Sequence, residues 1–391
     1  MLDSFYLDAC STTPLYEDVV DKINYINSNI YGNPSSLHSI GQKSAFILEK
    51  SRSEIADKFA TNFEDIIFTS GATESINLAI KGIGSNIKPG RIIISDVEHS
   101  AVNLTANQLL SKGWVIDKWP VDNFGRLRLD EMDRILARPT KFVSLIWAQS
   151  EVGTVQPIEL IASECRKRGI YFHTDATQLI PHSLVKFGNS SIDLLSASAH
   201  KFRGPKGIGL LLANSRTRKF LRPIITGGPQ EFGFRSGTEP IALIAGMNSA
   251  LKYINHQMDI INDKTIFRPT EVSELTNKLL LEITKINGVK IVGNHNFINR
   301  IPNHISLLIE DRYGKPISSR KLVKDLSNKG ILVSSGSACN SGITERNETL
   351  EAMGYENKWL RSLLRISTGS WICTKDIGRI TQIFHEVLTS Q

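Results

Sequence analysis

Between about residues 65 and 215, short apolar runs alternate with longer stretches of mixed polarity. The runs are DIIFTS, RIIISD, KFVSLIWA, GIYFHTD, IDLLSAS and GIGLLLA. Each is too short for a stable helix and too uniformly apolar for a strand with one wet face, which predicts strands buried on both sides. The stretches between them carry apolar residues at three-and-four spacing. Ile158, Ile161, Ala162 and Cys165 predict such a helix over Pro157–Arg168. This alternation predicts an α/β fold, a mainly parallel sheet with helices on both faces. Ligands of such sheets gather beyond the carboxyl ends of the strands. The distinctive polar groups follow those ends: TSGATES, SDVEHS, AQSEVG, HTDATQ and SASAHK. Five strand ends facing one crevice predict one site.

After about Tyr253 the pattern changes. A polar stretch, NHQMDIINDKTIFRPTE, leads into a helix, and GVKIVG and NHISLLIE follow as strands. Another helix, the segment SSGSACNSG and a last helix complete a smaller α+β unit. The expected division is an N-terminal segment over 1–15 that packs with the small unit, a large domain over 16–255 and a small domain over 256–391. A chain of 391 residues is long enough for two cores.

Composition narrows the function. With 41% hydrophobic and 22% charged residues, the chain reads as an ordinary globular protein. No apolar run is long enough to cross a bilayer, and the start, MLDSFYLDACSTTP, lacks the features of a signal peptide. The expectation is a cytoplasmic protein without a membrane partner. Four cysteines without a CxxC pair argue against a zinc site or a disulfide framework. The net charge of +7 is spread along the chain with no basic arm, so no direct nucleic-acid partner is expected.

The strand-end groups carry the candidate chemistry. TSGATES follows a strand and opens a helix, either as a phosphate cradle of backbone N–H groups helped by Thr73 or as a simple cap. Lys201, beside Ser198 and His200, is a candidate Schiff-base lysine or a solvent-facing strand end. Asp175 suits the ring nitrogen of pyridoxal phosphate, whose electron-sink behaviour needs that nitrogen protonated. His99 either lies over a cofactor ring and passes protons or is a satisfied surface histidine. Cys339 sits among glycines and serines, so it is an idle loop cysteine or a nucleophile that must travel. Together these are the parts of a pyridoxal-phosphate site.

TSGATES, VEHSAV, HTDATQ, SAHKFRGPKGIG, RSGT and SSGSAC, in this order, resemble the cysteine desulfurases, class V members of the fold-type I pyridoxal-phosphate enzymes. The resemblance runs from YLDACSTTP to RISTGSW. It implies a fold-type I transferase whose large domain has a mainly parallel seven-stranded sheet. It also implies that L-cysteine becomes L-alanine while the sulfur passes to Cys339 as a persulfide. That sulfur would serve iron–sulfur cluster assembly or thiolation. Pyridoxal 5′-phosphate would be held by Lys201, with Asp175 on its ring nitrogen and Gln178 on its phenolic oxygen. Ala72, Thr73, Ser198 and His200 would contact its phosphate, joined by Thr238 of a partner subunit in a homodimer. Asn33 and Arg365 would hold the substrate carboxylate, and His99 would assist proton transfer.

No resident metal is implied, only a transient iron–sulfur contact at Cys339. The partner is a sulfur-acceptor protein or an iron–sulfur scaffold. Alternatives are a selenocysteine lyase, another class V enzyme, or a non-catalytic pyridoxal-phosphate-binding scaffold. The chain departs from the family pattern at Gln149 and Ser150, where two asparagines are usual and the second contacts cofactor and substrate. It departs again at Phe232, often basic in relatives, and at Asn340, commonly threonine.

Overall fold

A computed structural model describes residues 4–261, 263–294, 297–336 and 346–390, so Cys339 and Asn340 lie outside the described residues. In chain order the first strands are β1 (Phe5–Tyr6), β2 (Ile66–Thr69), β3 (Arg91–Ser95), β4 (Val115–Trp119), β5 (Thr140–Ile146), β6 (Tyr171–Asp175), β7 (Leu194–Ser198) and β8 (Gly209–Ala213). Six of the first eight coincide with the six apolar runs. Seven strands form one sheet in the order β2-β8-β7-β6-β5-β3-β4. Pairing is parallel from β4 across to β7, and β8 runs antiparallel to both β7 and β2. Every strand except β8 therefore points its carboxyl end to the same edge.

The strand without an apolar run is β4, VIDKW, which pairs on one side only. An edge strand needs less apolar surface, and Val115 is 58% exposed. The helix expected over Pro157–Arg168 forms over Ile158–Lys167 and buries Ile158, Ile161, Ala162 and Cys165.

The rest of the chain adds β9 (Met258–Ile261), β10 (Lys264–Phe267), β11 (Val289–Ile291), β12 (His304–Ile309), β13 (Ile331–Leu332) and β14 (Leu363–Ser367). A three-stranded antiparallel sheet, β11-β12-β14, carries the second core with helices Glu271–Ile283 and Ile377–Thr389. The polar stretch before it is more than a connection: β9 and β10 pair there as an antiparallel hairpin. Ile260, Ile261 and Ile266 of the hairpin are exposed, so burial leaves no alternating signature in its sequence. At the other end, β1 pairs in parallel with β13, Phe5 opposite Ile331, which lays the start of the chain on the smaller unit.

Candidate functional site

The carboxyl ends of β2, β3, β5, β6 and β7 open on a cavity of about 960 Å³. The helix over Ala72–Gly84 begins just past β2. Its N-cap is Gly71, so no side chain caps its first N–H groups. Ala72 and Thr73 line the cavity there, as do Ser198, His200 and Lys206. β8 passes tight against this turn: a Cβ on Gly209 would stand 2.6 Å from Gly71 Cα and from Ala197 O. Helix amides, the positive dipole end, hydroxyls and the Lys206 cation make a cradle for an anion.

Asp175 ends β6 and is 4% exposed. Its Oδ1 accepts from the Thr177 amide at 3.0 Å and from the Thr177 hydroxyl, which fixes the carboxylate in place. Lys201 follows β7, and its Nζ donates to the Cys10 and Ser11 carbonyls at 2.6 and 2.9 Å. Gln178 Nε2 donates to the same Cys10 carbonyl at 2.9 Å. His200 Nδ1 lies 3.1 Å from Thr12 Oγ1. Residues 10–12 thus form one wall of the cavity. Burial, reinforced by Lys201 and Lys206, pushes His200 down to about 4, so it is neutral. His99 caps the helix over Ser100–Asn107, its Nδ1 accepting from the Ala101 amide at 3.1 Å. The neutral ring then keeps its proton on Nε2.

Arg365 lies on β14 and is 3% exposed. Its Nη2 donates to Asp8 Oδ1 and Ser11 Oγ, both at 2.7 Å, and its Nη1 to the Ser150 carbonyl at 3.1 Å. Its Nε is buried without a hydrogen-bond partner. A guanidinium held on two sides at the cavity wall suits a carboxylate ligand. Ser150 also lines the cavity. The neighbouring Gln149 is engaged elsewhere: its Nε2 donates to Thr349 Oγ1 at 3.0 Å and its Oε1 accepts from the Val152 amide at 2.9 Å.

Asn33 does not line the cavity, and Thr238, expected to serve a partner's cavity, lies outside this one too. Asn33 is exposed, its Oδ1 accepting from the Ser35 amide at 2.9 Å. Thr238 is exposed in the loop after β8. That loop is anchored by Glu231, which receives both Arg52 Nη atoms at 2.7 Å and the Phe68 amide at 2.8 Å. Phe232 takes its place in this anchor, its ring 5.1 Å from the Arg52 guanidinium, with Phe63 and Phe68 also against that cation. Arg235 of the same loop pairs with Glu74 at 3.0 Å, on the first turn of the cradle helix. Among the described residues no group of three His, Cys, Asp or Glu side chains is placed to hold a metal.

Sequence reasoning passed over Glu98, which lines the cavity. Its Oε1 accepts from the Ile146 amide at 2.8 Å and from Ser95, while Oε2 is buried without a partner. Burial pushes the carboxyl up to about 8; the bonds from Ser95 and Ile146 oppose this and nearby Asp175 adds to it. At neutral pH the group is mostly the acid. Ionising it in the folded state costs stability from pH 4.5 upward, and the cost is complete above about pH 8. Glu98→Gln is therefore expected to match the parent below pH 4.5 and to exceed it by roughly 2–4 kcal/mol at pH 9. Denaturant melts at the two pH values check this; equal stability at pH 9 would refute it.

The class-V aminotransferase family model matches residues 5–380. A cysteine desulfurase IscS of Dictyoglomus turgidum is 35% identical over 98% of this chain and 94% of its own length. The IscS of Methanosarcina thermophila is 34% identical over 98% and 91%. A mitochondrial cysteine desulfurase of Candida maltosa is 34% identical over 97% and 76%. Among solved structures, a NifS-like protein superposes with a TM-score of 0.87 at 28% identity, over 99% of this chain and 100% of that one. SspA in complex with cysteine superposes with a TM-score of 0.80 at 29% identity, over 93% and 98%.

Proposed function

From this chain's membership of the class-V aminotransferases, as one of their cysteine desulfurases, we propose that it takes sulfur from L-cysteine, releases L-alanine and carries the sulfur on Cys339. The observation that carries the reading is the meeting of Lys201, Asp175 and the uncapped helix start at Gly71 on one cavity. That donor set fits pyridoxal 5′-phosphate: an anion cradle, a carboxylate for a ring nitrogen and a lysine for the aldehyde carbon. When bound, the cofactor acts as an electron sink for charge developing at the substrate Cα.

The chain's own residues divide the work. Ala72, Thr73, Ser198 and His200 would hold the phosphate, and neutral His200 would do so without adding charge. Asp175 would keep a proton on the ring nitrogen, and Gln178 would serve the phenolic oxygen. Arg365 binds the substrate carboxylate, with Asn33 contributing when its loop turns inward. Lys201 takes the Cα proton, and His99 Nε2 is a second proton carrier. Cys339 supplies a thiolate: its sulfur bonds to the substrate sulfur as the Cβ–S bond breaks, and protons returned to the carbon skeleton complete alanine. Thr238 serves the cavity of a second copy in a homodimer, its loop held by Glu231 and Arg235. The persulfide then passes to an acceptor protein, an iron–sulfur scaffold among them. Among the described residues no helix is long and apolar enough to cross a membrane.

The test is an assay of alanine and sulfide from L-cysteine with and without dithiothreitol. One equivalent of alanine without reductant and catalytic turnover with it support the reading. No alanine under either condition would leave a cofactor-binding scaffold, and a strong preference for selenocysteine would leave a lyase.

Ser150 gives a smaller prediction. Its side chain is shorter than the asparagine usual in relatives, and Gln149 does not replace it because its amide is held by Thr349. Ser150→Asn is expected to raise kcat/KM for L-cysteine about tenfold, the value of one added hydrogen bond to a charged group. A loss of activity would mean that the pocket is built around serine.

A further inference from the structure

The turn at residues 149–153 is gripped from the smaller sheet. His304 and Ser306 stand two apart on β12, and β14 pairs with it so that His304 faces Ser367 and Ser306 faces Arg365. All four side chains therefore share one face of that sheet. This face meets the turn. Ser306 Oγ donates to the Glu151 carbonyl, and His304 Nε2 lies 3.2 Å from the Ser150 carbonyl. The same carbonyl accepts from Arg365 Nη1 at 3.1 Å. Two donors, an imidazole and the guanidinium of the substrate pocket, thus converge on one oxygen.

The contact is built rather than incidental. A carbonyl only accepts, so the His304 proton sits on Nε2 and Nδ1 is bare, and Nδ1 is indeed buried with no partner. His304 is 0% exposed. A Cβ on Gly153 would stand 2.8 Å from the ring at Cγ and Nδ1, so only glycine admits the imidazole. Arg300 Nη2, itself buried, donates to the His304 carbonyl and fixes the backbone from behind. Burial, with Arg300 and Arg365 nearby, keeps the imidazole neutral across the physiological range.

We propose that His304 is a positioning residue for substrate recognition: it holds the Ser150 carbonyl where that oxygen orients Arg365 toward the substrate carboxylate. The inference rests on the reading of Arg365 given above. His304 does not line the cavity, so it acts on binding and leaves the chemical step alone. Ser150 contributes its backbone here, through the carbonyl that His304 and Arg365 share.

The test compares three variants of the cofactor-loaded enzyme. His304→Leu removes the donor; His304→Gln places an amide nitrogen near the position of Nε2; His304→Asn places one near Nδ1, short of the carbonyl. For His304→Leu and His304→Asn, KM for L-cysteine is expected to rise about three- to tenfold, the worth of one neutral hydrogen bond, with kcat within twofold. His304→Gln is expected to stay within threefold of the parent. Binding of L-alanine, followed by the change in cofactor absorption, should weaken in parallel, whereas ethylamine, which lacks the carboxylate, should bind all forms alike. Should His304→Leu fail to fold, the Asn–Gln contrast alone decides. Equal KM for those two, or equal weakening of L-alanine and ethylamine, overturns the proposal. Arg365→Ala separates the layers: an unchanged KM there refutes the reading of Arg365, while a raised KM there with unaffected His304 variants refutes only the role of His304.

Discussion

Cys339→Ser is expected to lower alanine formation from L-cysteine at least about a thousandfold, because removing the nucleophile from a set of cooperating groups costs on the order of 10³–10⁶. Cofactor absorption should be unchanged and should still respond to added L-cysteine, since the groups proposed for binding are Lys201, Asp175 and Arg365. The other thiols are poor substitutes. Cys10 and Cys165 are buried, which pushes both thiols up and away from the thiolate form. Cys373 is exposed and does not line the cavity. Persulfide trapped by alkylation and located by peptide mass should map to Cys339 in the parent and vanish in the variant, and Cys165→Ala and Cys373→Ala should turn over normally. Full turnover by Cys339→Ser would remove the nucleophile from the mechanism.

Lys201→Ala is expected to abolish turnover and to yield protein without the visible absorption of a covalently held cofactor. In the parent, borohydride should fix the cofactor to the peptide containing Lys201; label on another lysine would end the assignment. A second effect follows from the geometry. Lys201 Nζ bridges the Cys10 and Ser11 carbonyls, so its loss strips two acceptors of a charged donor. At roughly 1.5–3 kcal/mol for a hydrogen bond to a charged group, the variant should also melt earlier than the cofactor-free parent, with water at the cavity wall recovering part of the loss. A melting curve identical to that of the cofactor-free parent would contradict this bridging role.

How much of this was legible in the sequence depends on whether each signal is local. The six apolar runs became strands because burial on both faces leaves few polar residues to blur them. β4 was missed because an edge strand with an exposed Val115 carries no such run, and the β9–β10 hairpin because its isoleucines point to water. The strand-end residues Asp175, Ser198 and Lys201 were readable since topology alone gathers carboxyl ends. Glu98 was not, because its meaning lies in an amide nearly fifty residues away, at Ile146. His304 looked like one residue of an apolar strand; only the pairing of β12 with β14 sets it beside Arg365 over the same carbonyl. Asn33 and Thr238 come from the family resemblance: Asn33 lies outside this cavity, and Thr238 is expected to serve that of a second copy.

The parallel pairing of β1 with β13 bears on the birth of the protein. The wall that holds Lys201 is made of residues 10–12, which leave the ribosome long before the residues that anchor them. Their partners come much later: Ser11 waits for Arg365, 354 residues on. At roughly 5–20 residues per second, that wait is tens of seconds. A nascent chain that has already folded its seven-stranded sheet would present Lys201 on an open crevice, lacking the Arg365 anchor for its far wall. A truncated chain lacking β13 and β14 would then be a folded sheet whose cavity wall has lost its anchor.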